Sequence, residues 1–320
     1  MGSNSLRKYL PYIVTLVATG VAVFFLRRAI LSAEGSQNFV FSPWLLVGSL
    51  AAFLIQESLN PVFAALALKS VGASTRYFPQ LLITMFSTSA NSTVPVPAGM
   101  PIRAYLQKQI LNISYTKSGG AILIETVVGY GFTLTAAIVT GMIWFPQYID
   151  PQFFLNQNVL TILLFGLLIS GLIVAGVVFF VRKKQLQKRI TEALIQLSNA
   201  RLLPLLGMAF IMLVSFGLAL TRFALILLAM GIDVQYGPLL AALLISRIAG
   251  VLSFVPMGLG VRDASLGSLL IIIGVLSSQA IAAAAIDRLI LTIPYLIGGV
   301  IATHLLSKRF LLPENLHRPS

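Results

Sequence analysis

Long apolar runs, separated by short polar segments that hold most of the lysines and arginines, make up nearly all of this chain. A helix that crosses a hydrocarbon core needs about 20 predominantly apolar residues. Six runs meet that length, at roughly 9–27, 43–68, 118–144, 158–181, 203–230 and 279–306, and each predicts a full span. Strands of a membrane barrel would alternate apolar and polar positions over about 10 residues, and runs such as Leu163–Val181 do not alternate. The pattern predicts an all-α polytopic membrane protein.

Two further apolar regions, 77–112 and 238–276, are interrupted by proline and glycine. The interruptions are Val94-Pro-Val-Pro-Ala-Gly-Met-Pro101 and Phe254-Val-Pro-Met-Gly-Leu-Gly260. Each leaves two helical pieces of about 13–17 residues, at or below the length needed to cross a bilayer. Both regions therefore read as broken, re-entrant helical hairpins; tilted full crossings fit the same topology. Pro97, Gly99 and Arg103 follow the spacing P-x-G-x-x-x-R, and Pro256, Gly258 and Arg262 repeat it. Each motif lies in a span–hairpin–span unit, 43–144 with hairpin 77–112 and 203–306 with hairpin 238–276. That arrangement predicts an inverted repeat within one transmembrane domain covering 1–320, with a site between discontinuous helices near mid-bilayer.

Charge then orients the chain. Only 10% of its 320 residues are charged, against roughly 25% in soluble domains. The net charge is +13. In a soluble protein this would point to nucleic acid, but here the basic residues lie between apolar runs, where they set topology and meet anionic lipid. Nucleic acid is not expected as a partner. The basic loop 182–201 carries Arg182, Lys183, Lys184, Lys188, Arg189 and Arg201 and is expected in the cytoplasm. Counting outward puts both termini there too, in a multi-pass protein of the plasma membrane. Arg27 and Arg28 are the exception and fall outside. The chain has no cysteine, which removes thiolate chemistry.

Irregular backbone at membrane depth needs protein or a watery cavity around it, so the two breaks mark an interior. Pro101 suits the first turn of the following helix, which puts Arg103 in that turn, as Arg262 is after the second break. A cation there opposes the helix dipole unless an anion is near. The functional reading is a phosphate or carboxylate site built from each helix N-terminus and its arginine. The competing reading is a headgroup anchor or an ion pair with a neighbour, as Arg262 with Asp263. Other ionisable residues at membrane depth each require a reason: Glu57, Glu125, Arg222, Arg247, Asp287 and Arg288. They either hold a headgroup or pair internally. Asn91, in the polar stretch Ser87–Thr93, is expected to line the cavity or cap the broken helix. His304 and His317 lack ligand partners at metal spacing, no phosphate-binding G-x-x-x-x-G-K-[ST] loop occurs, and no nucleophile–base set stands out. No cofactor and no enzymatic activity are expected.

Several segments taken together resemble the lysylphosphatidylglycerol synthetase transmembrane family, the flippase-like membrane region of the multiple peptide resistance factor. They are Asn91 through Pro97-Ala-Gly-Met-Pro-Ile-Arg103-Ala-Tyr-Leu106, Glu125-Thr-Val-Val-Gly129, Arg247 through Pro256-Met-Gly-Leu-Gly-Val-Arg262-Asp-Ala-Ser-Leu266, and Asp287-Arg288-Leu289 with Gly298-Gly299. The likeness covers nearly everything after the first span. It implies a flippase fold of eight-helix type whose broken helices line a lipid cavity, and it implies translocation of a phospholipid or lipid-linked headgroup between leaflets. The chain departs from the pattern at Asp263, where glutamate is expected, and at Met100-Pro101 before Arg103. It carries no soluble aminoacyl-transferase segment, so lysyl transfer is not expected of it. The candidate substrate-binding set is Asn91, Pro97, Gly99, Arg103, Glu125, Arg247, Pro256, Gly258, Gly260, Arg262, Asp263, Asp287 and Arg288. The expected partner is an anionic phospholipid or lipid-linked headgroup, with a transferase or a second copy as candidate protein partners. The alternative function is a non-transporting membrane partner that presents lipid to a separate glycosyl- or aminoacyl-transferase.

Overall fold

The computed structural model describes residues 42–93, 99–146, 201–253, 258 and 260–306. The expected spans 9–27 and 158–181, nearly all of the basic loop, and the prolines Pro97 and Pro256 lie outside the described residues. Every described element is a helix. In chain order these are α1 (Pro43–Ser70), α2 (Tyr77–Thr93), α3 (Gly99–Leu111), α4 (Tyr115–Trp144), α5 (Leu202–Ala229), α6 (Tyr236–Leu252), α7 (Val261–Ile272) and α8 (Ser277–Leu306). Four of them, α1, α4, α5 and α8, are long and apolar enough to cross a membrane. Their outward side chains are large and apolar: Trp44, Leu203, Phe210 and Val300 are all well exposed. Water would penalise such a surface, whereas lipid tails match it.

The order of lengths repeats. Helices of 28, 17, 13 and 30 residues are followed by helices of 28, 17, 12 and 30. Each short pair is interrupted where proline and glycine interrupt the sequence, since proline cannot donate to a helix ladder and clashes with the preceding turn. Gly258 and Gly260 take positive φ, 61° and 81°, a conformation open to glycine at little cost.

Helices α1 and α5 run antiparallel along their whole length, and their contacts are reciprocal. Ser42 N–H donates to the Ala229 carbonyl at 2.9 Å, and Arg201 N–H donates to the Ser70 carbonyl at 3.4 Å. A Cβ on Gly48 would lie 3.4 Å from Leu225, and one on Gly207 would lie 3.1 Å from Leu66. Each glycine is the sixth residue of its helix, and each leucine the twenty-fourth. The same contact is thus made twice, with the helices exchanging roles. Small residues here let two backbones approach closely, which favours helix pairing in lipid.

The hairpins pack across the halves in the same reciprocal way, α2 on α8 and α6 on α4. Met85 meets Gly298 and the Ser89 side chain meets Gly299, while Leu82 and Ile83 cluster with Ala302 and Leu306. This register is antiparallel. Carried four residues further at about 1.5 Å each, it brings the end of α2 level with Tyr295, in the central third of α8. On the other side Trp144 covers Gly237, Ile245 meets Gly141, and Leu244 and Ile248 pack on Ala137. By the same reasoning α6 ends beside the middle of α4. Both helices therefore stop at mid-length of a membrane-long neighbour.

Candidate functional site

The first break is closed by Asn91, whose side-chain oxygen accepts from Gly99 N–H at 2.7 Å. This cap starts α3 at Gly99, and Arg103 consequently lies just past the first turn rather than within it. A Cβ on Gly99 would collide with Asn91 and with the Ser87 carbonyl. In the second half Gly250 occupies the position matching Asn91, eight residues before the break glycine. There the backbones themselves approach: a Cβ on Gly258 would lie 2.9 Å from the Gly250 Cα. One half closes its break with an amide, the other by removing side chains.

Both motif arginines form ion pairs. Arg103 binds Glu125 through two parallel bonds of 2.7 and 2.6 Å, and Arg262 binds Asp287 at 2.7 Å. Glu125 is the eleventh residue of α4, and Asp287 the eleventh of α8. The arginine four residues after each break glycine thus reaches the equivalent carboxylate of the next long helix. The fork-shaped guanidinium suits such two-pronged pairing. Asp263 is not the partner of Arg262: it lies in the first turn of α7, where an anion favours the dipole, and accepts from Arg288 at 2.7 Å. The two adjacent residues of α7 each cross to one of two adjacent residues of α8.

Beyond these matched pairs, the halves differ. Asp287, only 1% exposed, also binds Arg222 of α5, so one carboxylate serves two arginines. Glu57 of α1 has no ion pair among the described residues. It accepts from the Tyr295 hydroxyl at 2.8 Å and from the Asn60 amide at 2.7 Å. Tyr295 is held edge-on by Phe53, with ring centroids 5.4 Å apart. Arg247 of α6 is exposed, and its side chain has no hydrogen bond or ion pair among the described residues. It acts electrostatically on Glu57, Arg222, Arg262 and Tyr295. Two buried arginine nitrogens, Arg103 Nε and Arg222 Nε, also lack a partner among the described residues.

Of the thirteen candidate residues, eleven are described. Arg247, Gly258, Gly260, Arg262, Asp263, Asp287 and Arg288 gather at the second break, while Asn91, Gly99, Arg103 and Glu125 form a separate group at the first. Sequence reasoning missed Tyr295 altogether. Its one available signal was a phenol beside Pro294 in a mostly apolar stretch of the helix, where a buried hydroxyl needs an acceptor. It also missed the buried contact of Gln107 with Gln80, at 3.4 Å between α3 and α2.

No curated protein matches the chain. The two broken hairpins, the membrane-length helices beside them and the arginine–carboxylate pairs fall within residues 12–299 apart from the last turns of α8, the stretch that matches the family described as the lysylphosphatidylglycerol synthase TM region, and the chain belongs to that family.

Proposed function

We propose that the protein is a flippase-like transporter that moves a phospholipid or lipid-linked headgroup between the leaflets of the plasma membrane. The observation that carries this reading is Arg247, a cation on a helix that ends at mid-membrane depth, with no ion pair among the described residues. An uncompensated charge at the bilayer centre costs about 2.5–3.5 kcal/mol on insertion scales, so it marks a ligand path or a watery cavity. A headgroup phosphate is the ligand that an open guanidinium fits.

The two four-helix units then form an inverted repeat. Their antiparallel α1–α5 pair, with one contact made twice, supports a two-fold axis lying in the membrane plane. The lipid headgroup is held between the breaks by Arg247, with Arg262, Arg288, Asp263 and Asp287 around it and Gly258 and Gly260 keeping the backbone close. At the first break Arg103, paired with Glu125, offers a second, smaller headgroup contact, while Asn91 and Gly99 fix the helix start beside it. The acyl chains stay in lipid. One repeat rocks against the other, exposing the headgroup to each side in turn.

The test is movement of a headgroup-labelled phosphatidylglycerol between leaflets of liposomes that hold the purified protein alone. Wild type moves it, and Arg247→Gln slows movement by roughly tenfold or more, the scale of losing one charge-assisted contact. Binding without movement would favour the alternative, in which the protein presents lipid to a separate transferase. Neither binding nor movement would refute both.

A further inference from the structure

One ionisable side chain at membrane depth has no part in the headgroup site. Glu57 is the fifteenth of the 28 residues of α1, at mid-length of a helix that crosses the membrane. Neutral donors engage both of its oxygens, the Tyr295 hydroxyl Oε1 at 2.8 Å and the Asn60 amide Oε2 at 2.7 Å. The bond to Tyr295 joins the two halves, α1 to α8. Charged groups on the helices packed around α1 have other partners. Arg222 of α5 is bonded to Asp287 of α8, Arg288 of α8 to Asp263, and Glu125 of α4 to Arg103. On α2 the Tyr77 hydroxyl donates to the Ser58 carbonyl at 3.1 Å, and on α4 Tyr130 is exposed. Arg247 of α6 acts on Glu57 electrostatically, without a bond. A carboxyl at this depth with no cation bonded to it needs a reason.

Packing is not that reason, because the matching helices close the same junction without a polar group. In α5 the positions matching Glu57 and Asn60 hold Phe216 and Ala219, and in α4 the position matching Tyr295 holds Thr133. Phe216 there packs on Phe132 of α4, with ring centroids 5.9 Å apart, in an apolar cluster with Met212 and Ala137. Hydrocarbon alone serves at the α4–α5 junction, and it carries no desolvation cost. The carboxyl, amide and phenol at the α1–α8 junction therefore serve something other than cohesion.

We propose that Glu57 is a proton-binding site that couples lipid movement to a proton gradient, one proton crossing with one phosphodiester headgroup. The proposal rests on the transport reading of the headgroup site. Without the proton, Glu57 accepts at both oxygens; with it, one oxygen becomes a donor. Tyr295 suits both forms, since a hydroxyl that donates to a carboxylate can turn and accept from a carboxylic acid. Taking up the proton changes the bond between the halves from charge-assisted to neutral, about half as strong. Each helix also has a proline beside this bond. Pro61 removes the helical donor of the Glu57 carbonyl, and Pro294 adjoins Tyr295; long helices bend at such places. A carboxyl shut away from water keeps its proton and one opened to water releases it, so rocking of the repeats loads and unloads the site. A proton travelling with a singly charged headgroup moves no net charge, and the membrane potential then does not oppose the step.

Two measurements test this. The first is infrared spectroscopy of the purified protein in detergent, which reads the carbonyl stretch of a protonated carboxyl directly. Wild type is expected to show a band that grows as pH falls and that Glu57→Gln lacks. Glutamine can still accept from Tyr295, and Tyr295→Phe, which keeps the ring on Phe53, shifts the band in frequency should Glu57→Gln not fold. The second uses liposomes that hold the protein, with headgroup-labelled phosphatidylglycerol in both leaflets and an interior one pH unit more alkaline. Wild type is expected to draw label to the inner leaflet by up to about tenfold, the ratio one pH unit supplies for one proton per lipid. Glu57→Gln leaves the leaflets even. No shift, a shift to the acidic side, or a shift that persists in Glu57→Gln overturns the coupling. Identical infrared titrations of wild type and Glu57→Gln overturn the proton site itself. If label placed in one leaflet fails to move in wild type without a gradient, the transport reading has failed, and the infrared band decides on Glu57 alone.

Discussion

Arg103 shows what a single residue can reveal in sequence and what it cannot. Its place four residues after a break glycine was legible, and so was its need for an anion, because a cation near a helix N-terminus is unfavourable alone. Which anion it takes was not legible: Glu125 lies on the next helix, and only packing brings the two within 2.6 Å. The crossed pairing of Arg262 with Asp287 and Arg288 with Asp263 shows the same limit, since sequence neighbours on a helix point in different directions. Glu125→Gln leaves the Arg103 charge largely buried and without its carboxylate. It is expected to destabilise the protein by about 3 kcal/mol, the lower end for breaking a buried pair, measured by thermal unfolding in detergent. Exchanging the two side chains, Arg103→Glu with Glu125→Arg, should recover part of that loss. An unchanged melting temperature in the Glu125→Gln protein would mean that the pair contributes nothing to stability.

The helices were the most legible level. Expected spans 43–68, 118–144, 203–230 and 279–306 agree with α1, α4, α5 and α8 to within a few residues, because apolar length is a direct physical requirement for crossing lipid. The places where the shorter helices stop were equally readable, since proline and glycine end a helix through local sterics. Helix-to-helix contacts were not, because glycines at Gly48, Gly207 and Gly299 look alike in a string of apolar residues. Among the described glycines Gly299 should be sensitive to change, as its added Cβ would overlap Ser89 of α2. Gly299→Ala is expected to cost about 1–3 kcal/mol by overpacking. Gly131→Ala on α4 meets open space and should be neutral or stabilising through helix propensity. Melting curves of the two variants compare them directly, and equal shifts would count against the close α2–α8 approach.

For the molecule as a whole, the positive segments predict orientation: a reporter fused at either terminus should be active in the cytoplasm, and activity outside at either end would reverse the topology argued from Lys and Arg. The halves match in helix order, in the α1–α5 contact and in one ion pair apiece, but not in the charges around Arg247. This division has a mechanical consequence. In the transport cycle proposed above, Gly48 on Leu225 and Gly207 on Leu66 would serve as one joint built twice, so that tilting the bundle either way loosens one copy by as much as the opposite tilt loosens its twin. On that proposal the hydrocarbon packing is a nearly balanced seesaw, and the unmatched side chains at one break set which end rests lower.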